Sequence, residues 1–341
     1  MAEVYFLKLQ NPNQEDLQLA ALKMFDCFAD FFTKDDRVAL KIHFGERQSK
    51  TYLSPDFVKA IYNLLLPKIQ EMSLVDCAVL YKGDRAFAQS HIQLAKDQGF
   101  NFAPIAILDG QAGEEINEIE INQKHFKKVK IGKGLENFNS VLAISHFKGH
   151  ATAGFGGAIK NIGMGFGSKS GKLAMHKAFN LTMDETLCVA CGKCAKECPN
   201  NAIVVKEKAK IDFSKCLHCG KCISVCPKGA ILIPWGDTSS RDLQEKIAEY
   251  ALGALKGKKA FFVNVLLSIT PKCDCARELQ TPFLADIGIL ASSDIVSIDQ
   301  ASLDLAGKEN FAKPTINPED QLNHAAVIGL GDRHYDLIEL D

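Results

Sequence analysis

Cysteine spacing constrains this chain more strongly than any other feature of its sequence. The chain has 341 residues and 12 cysteines, and eight of the cysteines lie in two runs of one pattern, C-x2-C-x2-C-x3-C-P. The runs begin at Cys188 and Cys216, and similar tails follow them, CPNNAI in the first and CPKGAI in the second. The segment is therefore an internal repeat with an offset of 28 residues.

The spacing within each run is typical of segments that hold two [4Fe-4S] clusters, in which the fourth cysteine of each run ligates the other cluster. It predicts one cluster on Cys188, Cys191, Cys194 and Cys226, and a second on Cys216, Cys219, Cys222 and Cys198. Gly192 and Gly220 are expected to let backbone N–H groups approach the sulfurs. Zinc is the alternative, but a zinc site usually pairs two separated C-x2-C motifs and needs only four ligands. Soft thiolates in sets of four favour iron–sulfur clusters.

Composition limits the partners that this chain can be expected to have. Its 40 basic and 41 acidic residues include no long run of one sign, which argues against nucleic acid as a partner. No apolar run is long enough to cross a membrane, and the first residues lack the pattern of a signal peptide. Because the cytosol keeps thiols reduced, the cysteines are not interpreted as disulfides. We expect a cytoplasmic protein without a membrane partner, and the sequence leaves its oligomeric state open.

Outside the cysteine repeat, apolar β-rich segments alternate with amphipathic ones. The predicted strands are residues 4–9, 37–44, 74–81, 140–147, 259–267, 286–291 and 294–299, and the clearest predicted helices are 15–32, 54–72 and 240–255. This alternation predicts an α/β fold, with a mostly parallel sheet layered with helices. The repeat interrupts it, so we expect an α/β body at 1–180 and 234–341, with an inserted ferredoxin-like α+β unit at 181–233.

Glycine is concentrated in the stretch from Ser145 to His176, together with histidines and lysines. Glycine lets a ligand approach the backbone, and ligands of open α/β sheets bind at the carboxyl ends of strands. Three polar loops follow predicted strands there: HFGER at 43–47, KGDR at 82–85 and HFKGH at 146–150. The arrangement predicts a ligand site at that edge of the sheet.

Residue types in these segments suggest two kinds of ligand. Neutral imidazole binds transition metals, and a glycine-rich turn with lysines can hold a phosphate. The candidate catalytic residues are His43, His150, Lys160 and His176, and the candidate cofactor-binding residues are Gly154, Gly156, Gly157 and Gly163. Lys160 is expected to be an anion anchor or a covalent tether, because burial lowers the pKa of an amine. The alternative is that the glycines form tight turns, the lysines are solvated and the histidines pack.

Two further motifs lie near the carboxyl terminus. If Cys273 and Cys275 are locally extended, their thiols share a face and could chelate one metal or act as a dithiol. The alternative is one buried and one incidental thiol. Asp294 and Asp299 are acid–base or cation candidates, although Asp299 could instead cap the helix that follows it. Trp235 is expected to pack at the domain junction.

Several of these motifs together resemble the iron–sulfur centre proteins of domain-of-unknown-function family 362. They are the glycine-rich segment 149–176, the cysteine repeat, the Cys-Asp-Cys motif at 273–275, and DIGILASSDIVSIDQASLDL at 286–305. The resemblance covers nearly the full length. It implies a cytoplasmic protein of anaerobic or facultative microbes that carries two [4Fe-4S] clusters.

A weaker resemblance concerns His150, Lys160 and His176 alone. Their spacing is similar to that of the lactate racemase family, in which a lysine carries a nickel-pincer nucleotide and two histidines flank it. The racemases have no ferredoxin insert. The resemblance therefore implies a related pocket with a different occupant.

Together these features predict an iron–sulfur redox protein that passes electrons through two [4Fe-4S] clusters to or from a ligand or metal site in the α/β body. If it is an enzyme, it is an oxidoreductase that depends on those clusters. A further metal or a phosphate-bearing ligand is the additional cofactor expected, and a redox protein or a small-molecule substrate is the partner expected. The alternatives are a non-catalytic electron carrier that docks a partner enzyme, and an accessory or maturation protein that delivers electrons or a metal.

Overall fold

The central strands of the protein are buried on both faces. In the computed structural model, which describes residues 1–176, 181–233, 235 and 238–341, the segment Ser140–His146 is buried throughout. Val141 and Ala143 pack in one apolar core, whereas Leu142 and Ile144 pack in another. Successive residues of a strand point to opposite faces, so a continuous apolar run places a sheet between two layers of helices.

The described residues form the following strands and α-helices. The strands are β1 (Ala2–Lys8), β2 (Arg37–Lys41), β3 (Glu71–Asp76), β4 (Ile105–Ile107), β5 (Ile116–Glu120), β6 (Lys128–Gly132), β7 (Ser140–His146), β8 (Lys148–His150), β9 (Gly154–Gly156), β10 (Thr182–Met183), β11 (Ile203–Val205), β12 (Ala209–Ile211), β13 (Ile231–Leu232), β14 (Lys259–Leu266), β15 (Gly288–Ser292) and β16 (Tyr335–Leu340). The helices are α1 (Gln14–Asp26), α2 (Pro55–Leu65), α3 (Ala88–Asp97), α4 (Ala158–Phe166), α5 (Lys169–His176), α6 (Lys193–Lys196), α7 (Lys221–Val225), α8 (Ser240–Leu255), α9 (Ile295–Ala306) and α10 (Asp320–Val327).

Eight of these strands form one sheet in the order β16-β1-β15-β14-β7-β2-β3-β4. β15 is antiparallel to both of its neighbours, and the other pairings are parallel. One face is covered by α1 and α2, and the other by α4, α8, α9 and α10. The structure therefore confirms the predicted α/β fold with a mostly parallel sheet.

The cysteine repeat forms a small α+β unit between α5 and α8. β10 pairs with β13 and β11 pairs with β12, both antiparallel, and the short helices α6 and α7 pack together. The large sheet takes strands from the chain on both sides of this unit. The domain boundaries predicted at residues 180 and 234 lie outside the described residues.

Local sequence signals account for several helix ends. Ser54 caps α2 through the backbone N–H of Phe57, and Pro55 occupies the first turn, as predicted. The helix predicted over 54–72 ends early, because Pro67 cannot continue the hydrogen-bonded ladder, and the chain enters β3 at Glu71. Helix α8 spans the same residues as its prediction, 240–255.

The strand predicted over 294–299 is wrong, because these residues begin helix α9. Asp294 caps the helix by accepting hydrogen bonds from the backbone N–H groups of Val296 and Ser297, at 2.8 and 2.9 Å. A short apolar run cannot by itself distinguish a strand from a buried helix, and the cap decides here.

Asp299 caps a different helix from the one predicted. It lies inside α9, fully buried, and accepts hydrogen bonds from the first backbone N–H groups of α4, those of Ala158 at 2.7 Å and Ile159 at 2.9 Å. Asn264 donates a third, at 2.7 Å. A Cβ atom on Gly157 would lie 2.3 Å from the Asp299 carboxylate, so glycine leaves space for this contact. Asp299 therefore anchors α4 to the second half of the chain.

Replacing Asp299 with alanine is expected to destabilise the α/β body by about 3 kcal/mol, because three buried donors lose their acceptor. Urea unfolding followed by circular dichroism measures the change. The control is Asp294→Ala, which removes a less buried cap and should cost about 1 kcal/mol. Equal losses in the two variants would contradict the anchoring role of Asp299.

No helix in the described part of the chain is both long and apolar enough to cross a membrane.

Candidate functional site

A cavity of about 340 Å³ opens at the carboxyl ends of β14, β7, β2 and β3. These strands are neighbours and parallel, which is where open α/β sheets bind their ligands. We call it the central cavity. Its polar lining consists of Lys41, His43, Asp76, Tyr81, Arg85, Lys148, His150, Thr152, Lys160, Asn161, Lys172, His176, Cys273 and Cys275.

The structure brings most of the predicted site residues together around this cavity. His150 lies on the strand β8, Lys160 on α4, and His176 is the last residue of α5. Gly156 and Gly157 also line the cavity, as do His43, Cys273 and Cys275. The glycine-rich segment therefore forms one wall, through the β8–β9 hairpin and α4.

Two of the predicted cofactor-binding glycines do not line the cavity. Gly154 has a φ of +74°, and a Cβ atom there would lie 2.9 Å from Pro318. A Cβ atom on Gly163 would lie 2.1 Å from the carbonyl oxygen of Ile247. Gly154 therefore serves a left-handed turn, and Gly163 lets α4 and α8 pack closely.

His43 faces the cavity, but it is committed to other protein groups. Its Nδ1 accepts the backbone N–H of Gly45 at 3.0 Å, and its Nε2 lies 2.6 Å from the guanidinium of Arg85. Burial, followed by the charge of Arg85, holds the pKa of His43 well below its usual range. A neutral imidazole has one ring lone pair, and N–H groups of the protein lie at both ring nitrogens of His43, so that lone pair is directed at the protein rather than at a metal. His43 instead contacts Arg85.

His150 and His176 are both neutral imidazoles. Burial and the nearby Lys160 lower the pKa of His150, and the same two causes lower that of His176 to about 3. The Nδ1 of His150 accepts backbone N–H groups from Thr152 and Ala153, at 3.2 and 2.9 Å. Its Nε2 therefore carries the proton and is the nitrogen left for a ligand.

Lys160 lies beside the two cysteines of the Cys-Asp-Cys motif. Its ammonium donates to Cys273 Sγ at 3.4 Å. Burial alone would lower the pKa of Lys160, but the charges of Cys273 and Cys275 outweigh it, and the pKa is raised. The expectation of a lowered pKa is therefore wrong. A protonated amine is an anion anchor rather than a nucleophile, which favours the first of the two predicted roles.

Cys273 and Cys275 sit in a turn rather than in the extended segment expected. The carbonyl oxygen of Cys273 accepts the backbone N–H of Ala276 at 2.8 Å, and both side chains line the cavity. The hydrogen bond that the Cys275 thiol donates lowers the pKa of Cys273, and Lys160 lowers it further. The same bond raises the pKa of Cys275. Of the two sulfurs, Cys273, beside the ammonium of Lys160, is therefore the one favoured as a thiolate.

A buried ionic network in the cavity lining was not predicted from the sequence. Asp76, at the end of β3, pairs with Lys41 at 3.2 Å and with Arg85 at 2.8 Å. Burial lowers the pKa of Lys41 to about 8. A Cβ atom on Gly165 would lie 2.4 Å from Lys41 Cε, so the glycine makes room for this lysine. The sequence signal for this network was Lys41 inside the apolar run RVALKIHF, because a lysine is rarely buried unless its charge is paired.

Two more lysines in the cavity wall were not predicted. Lys148 pairs with the buried Asp274 at 3.2 Å, and Lys172 donates to the carbonyl oxygen of Gly167 at 2.5 Å. Trp235 lies at the rim, 54% exposed, with its ring 4.5 Å from that of His176. Trp235 thus lines the cavity beside His176, and its packing at the domain junction stays a prediction.

Cys188, Cys191, Cys194 and Cys226 line one small cavity, which is the first of the two groups that the spacing predicts. Cys222 interacts with Cys219, Cys216, Cys194 and Cys198, so it has neighbours from both groups, and the crossed ligation stays a prediction. Backbone N–H groups donate to the sulfurs of Cys198 and Cys226, each at 3.2 Å, and to those of Cys188 and Cys216, each at 3.4 Å.

The two halves of the repeat also match in backbone conformation. Ala190 and His218, at equivalent positions, have φ values of 52° and 51°, and Gly192 and Gly220 have 75° and 72°. Left-handed residues curl each loop so that its cysteines face inward. The sequence repeat is thus a structural repeat.

Among the described residues, three possible metal-ligating atoms lie within 4.8 Å of one another only at His125, Asp242 and Glu245. This group does not line the central cavity, and Glu245 already pairs with Lys124 and Arg241. The described residues of the central cavity therefore present no preformed metal site.

Comparisons with known proteins place the chain in a family. No curated protein matches it. Similar solved structures include a protein from Thermotoga maritima (TM-score 0.48, 10% identity, 88% of this chain and 60% of that one). They also include the lactate racemase apoprotein from Thermoanaerobacterium thermosaccharolyticum (TM-score 0.39, 14% identity, 78% and 51%).

The chain spans 60% and 51% of these two structures, and likenesses this distant carry no argument about function. The match to a family model is more extensive. It covers residues 38–304, which include the central cavity and the whole cysteine repeat. The chain belongs to the family described as Domain of unknown function (DUF362).

Proposed function

We propose that the protein is an iron–sulfur redox protein in which two [4Fe-4S] clusters, held by the cysteine repeat, exchange electrons with a ligand in the central cavity. The observation that carries this proposal is a contact between the two parts. Leu80 lines the central cavity and also packs in the apolar cluster of Cys194 and Cys222. A Cβ atom on Gly220, inside the second cysteine loop, would lie 2.8 Å from Leu80. One side chain therefore separates a cluster-binding loop from the cavity.

The donor set of the repeat fits two [4Fe-4S] clusters. Each crossed group supplies four thiols, and backbone N–H groups already donate to four of the sulfurs. Such hydrogen bonds favour thiolates over thiols and tune the potentials of bound clusters. Bound clusters would supply one-electron transfer. The chain's own contribution is to hold the thiolates close together and beside Leu80.

The cavity side chains favour an anion as the ligand. Five cationic side chains line the cavity, and Asp76 is the carboxylate among the described lining residues. The cations are Lys41, Arg85, Lys148, Lys160 and Lys172. Because Asp76 already pairs with Lys41 and Arg85, the remaining positive charge is available to a carboxylate or phosphate. The neutral His150 and His176 can donate to or accept from the same ligand.

Lys160 is the cation best placed to hold this anion. Among the cationic side chains of the cavity, Lys41, Arg85 and Lys148 pair with carboxylates, and Lys172 donates to carbonyl oxygens. Lys160 contacts a cysteine thiolate instead. Its ammonium can therefore bind an anion and hold it against Cys273.

Replacing Lys160 with methionine is expected to weaken anion binding about tenfold or more while leaving the iron content unchanged. Calorimetric titration with inorganic phosphate and with malonate measures binding, and metal analysis measures iron. Lys59→Met, on the exposed face of α2, is the matched control and should bind as the native protein does.

A bare electron carrier makes the opposite prediction. Its native form would bind neither anion, and mass spectrometry of anaerobically purified protein would release no small molecule. Either that result or unchanged binding in the Lys160 variant would sink the proposed ligand site. Protein without iron and sulfide would sink the proposed clusters.

A further inference from the structure

Two thiols and an ammonium meet at one wall of the central cavity. Lys160 donates a hydrogen bond to Cys273 Sγ at 3.4 Å, and Cys275 follows in the same turn. Both cysteines line the cavity, although Cys273 is only 4% exposed. Both thiols therefore belong to one wall, and Cys273 is reached by a molecule that enters the cavity.

The residue between the two cysteines holds them in this orientation. Asp274 is fully buried and points away from the thiols, with its carboxylate 2.8 Å from His146 Nδ1 and 3.2 Å from Lys148 Nζ. The turn from Cys273 to Ala276 is closed by a backbone hydrogen bond of 2.8 Å. A turn anchored in this way presents both sulfurs to the same space.

We propose that Cys273 and Cys275 are a redox-active pair that closes reversibly to a disulfide, with Cys273 as the attacking thiolate and Cys275 as the resolving thiol. The arrangement matches the chemistry of such pairs. Only the thiolate attacks, a neighbouring cation favours it, and a second thiol in contact with it completes the exchange. The geometry behind this pair is two cysteines of one closed turn on the same cavity wall, with the ammonium of Lys160 against Cys273.

The substrate class follows from the cavity wall. A dithiol can exchange with a disulfide without any further cofactor, because the disulfide gains the two electrons that the dithiol loses. The surrounding lysines favour a disulfide that carries negative charge. The substrate is therefore a small organic disulfide that carries carboxylates or phosphates. A cavity of about 340 Å³ lies in the range of small-molecule sites.

The reaction proceeds in two exchanges. The Cys273 thiolate attacks one sulfur of the substrate, the substrate S–S bond breaks, and half of the substrate leaves as a thiolate. Cys275 then attacks Cys273 Sγ, the mixed disulfide breaks, and the proton of Cys275 goes to the second leaving thiolate. The substrate gains two electrons, and the protein pair loses two as its disulfide forms.

Regeneration of the dithiol requires two electrons and one proton. This step alone rests on the proposed function, because two one-electron clusters beside Leu80 would supply one electron each. Lys160 contacts Cys273 and is the group placed to donate this proton. The exchange reaction itself needs no cluster, so it can be tested separately.

Three small disulfides that differ in charge test the inference on the full chain, purified anaerobically. They are dithiodiglycolate with two carboxylates, hydroxyethyl disulfide with no charge, and cystamine with two amines. Released thiol and the mass of the peptide spanning 273–277 are measured over time. We expect the native protein to react with dithiodiglycolate about tenfold faster than with cystamine, and to end with a disulfide between Cys273 and Cys275.

Variants assign the roles of the three side chains. In Cys275→Ser, the glycolate half should remain attached to Cys273, because the resolving thiol is gone. In Lys160→Met, the rate with dithiodiglycolate should fall about tenfold and the preference for the anion should disappear. Cys27 is the reference thiol, since burial raises its pKa to about 11 and it lies outside the cavity.

The inference is overturned if Cys273 reacts no faster than Cys27, or if the native protein keeps the adduct and never closes the disulfide. It is also overturned if cystamine is the fastest of the three. Failure of the proposed function has a different signature. If the pair reacts as expected in protein that lacks iron and sulfide, the proposal of a redox-active pair stands and the proposal of iron–sulfur clusters fails.

Discussion

Replacing Cys198 with serine is expected to halve the iron content of the protein, from about eight to about four atoms per chain, although Cys198 ends the first run of the repeat. The spacing of the repeat predicts that Cys198 shares a cluster with Cys216, Cys219 and Cys222 of the second run. Losing one of four thiolates leaves that cluster without a full ligand set. The cluster held by Cys188, Cys191, Cys194 and Cys226 keeps all of its ligands.

Alkylation followed by peptide mass spectrometry reports which cluster is lost, because thiols that hold iron are protected. In the Cys198 variant, Cys216, Cys219 and Cys222 should become reactive, while the other group stays protected. Cys226→Ser is the mirror variant and should expose Cys188, Cys191 and Cys194. Cys27→Ser, outside the repeat, should keep all of the iron. Exposure of Cys188 and its neighbours in the Cys198 variant would instead establish uncrossed ligation.

Removing the iron is expected to unfold the cysteine unit while the α/β body persists. The unit has a small apolar core, and two of the residues that form it, Cys194 and Cys222, are proposed cluster ligands. Burial raises the pKa of Cys222, to about 12, and neighbouring cysteines add to the shift. Four such thiols held together contribute little to the stability of the unit without a metal. In a unit this small, the free energy of metal binding is therefore also free energy of folding.

Limited trypsin digestion before and after treatment with a chelator measures this effect. Lysines such as Lys193, Lys206 and Lys221 lie within the unit, and we expect cleavage there to increase at least about tenfold. Peptides from α8 and from the central strands should remain uncut over the same period. Simultaneous cleavage of the whole chain would contradict independent folding of the body, and unchanged cleavage within the unit would contradict the role of the metal.

The central cavity could be predicted only in part. The positions of His150, Lys160 and His176 followed from one glycine-rich segment, because polar loops at the ends of parallel strands meet at one edge of the sheet. The charge states of these side chains could not be predicted from the sequence. Lys160 stays protonated because it contacts Cys273, a residue more than a hundred positions away along the chain. His43 is bound to Arg85 across two loops, which no local pattern indicates.

The sequence by itself determined the cysteine repeat, the α/β pattern of strands and helices, the start of α2 and both ends of α8. These features depend on residues a few positions apart, where spacing, caps and proline act directly. Tertiary structure alone decided that Asp299 caps α4, that Lys41 and Arg85 share Asp76, and that Cys273 lies beside Lys160. Each of these contacts joins segments far apart in the chain. They form because packing the sheet brings those segments together, and burial then makes every polar group among them find a partner.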